Sequence, residues 1–259
     1  MALSAVLSKE MAIILGTEGS NLAPALTTGN WTLGTGWAYA TTPDRLNKSI
    51  DGTGTATPTS QTIASGTVYR VEFNVSSLSG STATWTLGGV SGTNITAVGK
   101  YVEYITASTT GKLIFTPVAT ALRMVIDYVS VTAITNETLG FATDFDFEVN
   151  KETIDITTFD SVGWKDFMVD MKEWKVSFSG LVTRGVPAAG QISYDEVLAS
   201  LVGSDTQFTL IIKSTTAADQ YFIGRGYLTS MKASGSVGDK MTYAGEVQGI
   251  GVVDLLAVA

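Results

Sequence analysis

The sequence predicts a mainly β protein: a β-sandwich or barrel carrying one α-helix, and a second β-sandwich. Three observations carry that expectation. The 259 residues hold 27 glycines and only 5 prolines, with serine and threonine dense between short apolar runs, the composition of many strands joined by turns. Segments of strict apolar–polar alternation recur along the chain. Charge is also partitioned by segment. Residues 21–134 carry six basic and five acidic side chains, which leaves ten basic and nineteen acidic for the remainder. Two domains are therefore expected.

The first strand candidate is Lys9-Glu-Met-Ala-Ile-Ile-Leu-Gly16, apolar and closed by glycine. Within the middle segment, Val68–Val75 places Tyr69, Val71, Phe73 and Val75 on one face and Arg70, Glu72 and Asn74 on the other. Ala83, Trp85 and Leu87 share a face in the next run, and Lys112–Thr116 and Leu122–Val131 follow between Gly/Ser/Thr turns. About eight short strands at this spacing suit a β-sandwich. No helical period occurs in that segment.

Beyond it, Asp144-Phe-Asp-Phe-Glu-Val149 alternates three acids with Phe145, Phe147 and Val149. Trp174–Gly180 and Gln207–Lys213 read as strands too, and Tyr221–Val253 holds two or three more. One helix stands between them. Ser193-Tyr-Asp-Glu196 is a capping-box pattern, Tyr194, Val197, Leu198 and Leu201 follow at helical spacing, and Gly203 is placed to end the element.

Composition excludes several functions. The chain has no histidine and no cysteine, which removes disulfides, thiol nucleophiles, Cys/His zinc sites and His-dependent triads. A formal charge of −8 does not favour gripping nucleic acid from outside. No run reaches the ~18 apolar residues of a membrane helix. The start has no basic region ahead of an apolar stretch, so assembly in a cytoplasm is expected. Asp155, Asp160, Asp166 and Asp170 are the residue type of paired-carboxylate chemistry, and Gly224-Arg-Gly226 and Gly249-Ile-Gly251 are the glycine pairs to weigh as a phosphate loop. The glycine pairs lie in strand contexts with no helix after them, and no catalysis is expected.

The stretches Lys151-Glu-Thr-Ile-Asp-Ile-Thr-Thr-Phe-Asp-Ser-Val-Gly-Trp164, Trp174-Lys-Val-Ser-Phe-Ser-Gly180 and Gly224–Ser230 leading to Met241–Gly251 resemble, in that order, the major tail-tube proteins of long-tailed bacteriophages. In that family a Thr-x-x-Asp-Ser turn precedes a Trp-x-Val-Ser-x-Ser-Gly strand, a single helix and a Gly-rich closing hairpin, so Asp160-Ser161 reads as a turn. The resemblance implies a structural virion protein, stacked as hexameric rings around a DNA channel in a tail assembled in the host cytoplasm. It also implies tape-measure and tail terminator proteins as partners, with DNA passing through without specific binding.

The middle block resembles a carbohydrate-binding jelly-roll module, through Asn30-Trp31, Gly36-Trp37, Gly66–Val71 and Ile126–Val131. Because tail-tube-like sequence flanks it on both sides, the two resemblances together imply a jelly-roll domain of residues 22–134 inserted into a tail-tube domain of residues 1–21 and 135–259, facing outward and binding host-surface glycans. The competing reading is a secreted or surface lectin with no tube role.

Candidate residues follow from these readings. Asp144, Asp146 and Glu148 would line an acidic channel, since a wall that passes DNA must not bind phosphate; the alternative is an ordinary solvated strand face. Arg70, Glu72, Asn74 and Trp37 are candidates for sugar contact, with Trp31 and Trp85 as further stacking surfaces. Core packing is the alternative for the tryptophans, and a solvated face for the polar residues. Asp127 matches a position that holds structural calcium in some carbohydrate modules, the single cofactor expectation.

Overall fold

The computed structural model describes residues 11–139, 142–157, 164–182, 191–203, 207–214, 220–236 and 240–257. In chain order the elements are β1 (Met11–Asn21), β2 (Trp31–Leu33), β3 (Trp37–Thr41), β4 (Asp44–Lys48), β5 (Ala56–Pro58), β6 (Val68–Ser79), β7 (Ala83–Leu87), β8 (Val90–Ser91), β9 (Gly99–Thr106), β10 (Ile114–Pro117) and β11 (Arg123–Leu139). There follow β12 (Ala142–Asp155), β13 (Phe167–Leu181), β14 (Gln191–Ile192), α1 (Tyr194–Gly203), β15 (Gln207–Ser214), β16 (Gln220–Ser234) and β17 (Thr242–Ala257). The fold is mainly β, as its alternation predicts. The chain divides into two compact units, Glu18–Thr135 and the remainder, Met1–Thr17 with Asn136–Ala259. Strands β1 and β11 each run across a boundary.

In the middle unit, β2-β5-β10-β7-β8 form one antiparallel sheet. A second antiparallel sheet runs β3-β4-β11-β6-β9. Their inward residues make one core containing Trp31, Leu46, Phe73, Trp85, Phe115 and Ile126. Phe73 is its hub: Trp85 and Phe115 meet it edge-on at 5.4 and 5.2 Å, and Tyr101 stacks on it at 5.0 Å. The indole N–H of Trp85 donates to Thr93 O at 3.0 Å, so this buried polar atom is satisfied.

Lys48 is the unexpected member of this interior. It is fully buried, its ammonium donates to Ile50 O, and burial together with nearby Arg123 lowers its pKa, against the opposing pull of Asp51. Gly36, at φ +93°, has no side chain because a Cβ there would meet the Lys48 ammonium and Ile50 O.

In the outer unit the antiparallel sheet β12-β13-β17-β16-β15-β1 presents Trp174, Val176, Phe178, Tyr243 and Val247 on one face, joined by Phe208, Leu210 and Ile212. Helix α1 contributes Val197, Tyr194 and Leu201 to the same cluster. Its start is a true capping box. Ser193 Oγ lies 3.3 Å from the Glu196 N–H, and a Glu196 carboxylate oxygen accepts the Ser193 N–H at 2.8 Å.

The glycines of β16 and β17 make room for one large ring. Cβ atoms at Gly224 or Gly249 would collide with the Trp174 indole, whose N–H donates to Gly251 O at 3.1 Å. These are packing glycines, in strands without a following helix.

Candidate channel face

Opposite its apolar face, the β12–β13–β17–β16 part of the outer sheet carries a polar surface whose register can be read across all four strands. Asp144 stands beside Ser179, then Ala244, then Lys232; Asp146 beside Ser177, then Glu246, then Ser230. In the next row come Glu148, Lys175, Gln248 and Tyr227. Side chains alternate across a strand, so the three acids share this face while Phe145 and Phe147 pack toward the core. Val149 departs from the expected pattern: it is 52% exposed.

Asp144 and Asp146 are exposed. Glu148 is held by Lys175 at 2.9 Å and by the Asn150 amide at 3.0 Å, and these bonds, Lys175 first, keep its carboxyl below the usual carboxylate range. The same pair raises the pKa of Lys175. Between the acids the surface is low, because Ser177, Ser179 and Ala244 have short side chains. The result is a shallow depression of about 390 Å³ edged by Asp144, Asp146 and Glu246 and by one cation, Lys232. Glu246, Lys175 and the serines were not singled out from sequence. The alternation of Tyr243, Gly245 and Val247 against Ala244, Glu246 and Gln248 is the signal that places Glu246 here.

The other candidates fall elsewhere. Arg70 and Glu72 lie on the non-core face of β6, yet both are buried, which corrects the picture of a solvated strand face. They form an ion pair with each other; Lys100 Nζ lies 2.7 Å from Glu72, and Glu18 3.8 Å from Arg70. Burial pushes the Glu72 carboxyl up, but Lys100 and Arg70 together hold it below its ordinary value. Trp37 is 7% exposed, with its N–H on Gly54 O at 2.8 Å. The ring assigned to sugar stacking is thus a core ring, as are Trp31 and Trp85. Asn74 donates to Asp127 at 2.7 Å, and no group of three acidic side chains fit to hold a metal occurs among the described residues.

Of the paired-carboxylate candidates, Asp155 accepts bonds from the N–H and hydroxyl of Thr157 at 3.0 and 2.5 Å. Asp160 and the Asp160-Ser161 turn lie outside the described residues, as does part of the Lys9–Gly16 strand candidate.

Comparison assigns part of the chain: residues 126–254 match the family profile described as phage tail tube protein, and that part belongs to the family, a structural family and not an enzyme family. Two solved gene transfer agent structures contain similar chains. One, the tail of an empty particle refined helically with C6 symmetry, is 19% identical, covers 47% of this chain and 87% of its own, and has a TM-score of 0.38. In the other, the virion of the native particle, the figures are 19%, 47%, 89% and 0.37. No curated protein matches significantly. No helix among the described residues is long and apolar enough to cross a membrane.

Proposed function

We propose that the chain is the repeating subunit of a tail tube, stacked in hexameric rings, with the polar face of β12, β13, β17 and β16 lining a DNA channel. The observation that carries this reading is the face itself: Asp144, Asp146 and Glu148 at alternate positions of β12 and Glu246 on β17, against two lysines, of which Lys175 is already neutralised by Glu148 and Lys232 stands in the row of Asp144, so that acids are in excess. Such a surface repels phosphate and offers little for a sliding duplex to hold. The middle unit then decorates the tube and binds host-surface glycans, and the tape-measure and terminator proteins act at the tube's interior and end. Assembly takes place in the host cytoplasm. A free-standing lectin would leave the tail-tube match over residues 126–254 without a role.

Electron microscopy of the purified chain tests the first part: rings or hollow tubes are expected, and monomers alone at high concentration would refute it. For the channel, changing Asp144, Asp146 and Glu148 together to Lys should leave the fold intact and slow DNA passage. Unchanged ejection kinetics would remove this face from the channel.

A further inference from the structure

We propose that the middle unit binds a neutral hexose oligomer on the open end of its β11-β6-β9 sheet face, with the ring of Tyr128 as the stacking surface and the Asp127–Asn74 pair holding adjacent hydroxyls. This rests on the reading of the middle unit as a glycan-binding unit, and gives that reading a place and a class of sugar. The starting observation is an accounting of aromatic rings. Between Glu18 and Thr135 the tryptophans and phenylalanines all lie in the core, and Tyr69 and Tyr104 are buried. Tyr39 and Tyr101 pack against that core and turn their hydroxyls back to the backbone, to Trp31 O at 2.6 Å and Ala97 O at 2.8 Å. Tyr128 is the exception. It is 47% exposed, an open ring face of the kind that packs on the apolar side of a pyranose.

The backbone puts that ring outside. Ile126 pairs with Val75 and is fully buried, Tyr128 pairs with Asn74, and Asp127 between them is the extra residue of a β-bulge. Strict alternation would send Tyr128 inward with Ile126; the bulge instead sets Asp127 and Tyr128 side by side on the solvent face. There Asp127 Oδ1 accepts the Asn74 amide at 2.7 Å, a bond between strands that fixes both side chains. It leaves the second carboxylate oxygen and the amide oxygen to accept from neighbouring sugar hydroxyls, and one amide hydrogen to donate. Beyond Asn74 stands Lys100 of β9, its side chain 59% exposed and its ammonium 2.7 Å from Glu72. Farther along the same face Arg70 and Tyr104 are buried, so the opening is confined to the Tyr128 end. Charge selects the class. Arg70 and Lys100 are paired with Glu72 and Arg123 with Asp51. Among the described residues no lysine or arginine, Arg45 of the adjoining β4 included, comes within ion-pair distance of Asp127. A carboxylate left unpaired at the centre of the face accepts hydroxyls and repels uronates and phosphates.

Titration calorimetry on the full chain tests this, with maltohexaose, cellohexaose and mannohexaose as neutral probes and hexagalacturonate as the anionic one. At least one neutral probe should bind, and more tightly than hexagalacturonate. Tyr128→Ala should weaken that binding about tenfold with unchanged melting, as the loss of one stacked ring implies. Tyr128→Phe should retain it, because the ring and not the hydroxyl makes the contact. Asp127→Asn should narrow the gap between the neutral and anionic probes, since it removes the charge and keeps the shape. Tighter binding of hexagalacturonate would overturn the neutral class, and neutral binding insensitive to Tyr128→Ala and Asp127→Asn would place the site elsewhere. Either result would leave the glycan reading standing. Binding of none of the probes would overturn the site and the glycan reading together. Tube formation is read separately by microscopy and is unaffected by any of these results.

Discussion

The two units bury their apolar residues to different degrees. The middle unit closes a core between two sheets, with Leu46, Phe73, Trp85, Phe115 and Ile126 all fully enclosed. In the outer unit, the far part of the β12–β13 ribbon leaves Ile154, Trp164, Phe167, Met168 and Met171 between 45% and 82% exposed. A two-stranded ribbon is marginal alone, and clustered exposed apolar residues of this size mark a surface meant to be covered. The middle unit closes its core within one copy; the outer unit leaves apolar surface open, which neighbouring copies in the proposed tube would cover.

The strongest way to break that contrast is to isolate the middle unit. Residues 18–135 should melt in a single cooperative transition, followed by circular dichroism, and Trp85→Ala should remove about 3–5 kcal/mol of its stability. A fragment with no transition would end the comparison. Trp174→Ala should cost the outer unit a similar ~3–5 kcal/mol, because the space left by Gly224 and Gly249 would become a cavity. Denaturant titration of the whole chain should show which transition moves.

Acid should weaken the middle unit next, through a buried ion-pair cluster where the outer unit's lowered carboxyls are solvent-exposed. The Glu72 carboxyl has a lowered pKa in the folded state, so its contribution is present above the unfolded value and is lost as pH falls through the folded one. The middle unit should therefore soften below about pH 4, and Glu72→Gln should flatten that dependence; a pH series of melting curves reads both. The smallest effect belongs to the helix start. Ser193→Ala should cost about 1 kcal/mol, visible as a modest shift of the outer unit's transition alone.

Much of this architecture was legible in the chain. The alternation of Val68–Val75 and of Asp144–Val149, and the Ser193–Glu196 box, correspond to β6, β12 and α1 because each is a local pattern with a local cause. The site was legible only in part. Strand parity set Asp144, Asp146 and Glu148 on one face, but their neighbours on β13, β17 and β16 depend on register, which no single segment encodes. Parity likewise set Arg70 and Glu72 on the polar face of β6 without revealing that this face is buried. Lys48 was the hardest case. A lysine in an alternating strand reads as solvated, and only the carbonyl of Ile50 and the bare backbone of Gly36 accommodate its ammonium inside.

The position of β12 in its sheet has one more consequence. Among the described strands it is paired on one side only, with β13, so one row of its backbone N–H and C=O groups is open to a strand from another molecule. Open edges invite uncontrolled pairing, and charges placed along them raise the concentration at which it starts. Asp144, Asp146 and Glu148 stand at alternate positions of that edge. Charges so placed oppose edge-to-edge pairing between free copies, and in the proposed tube they would leave that edge to a partner that meets it in register.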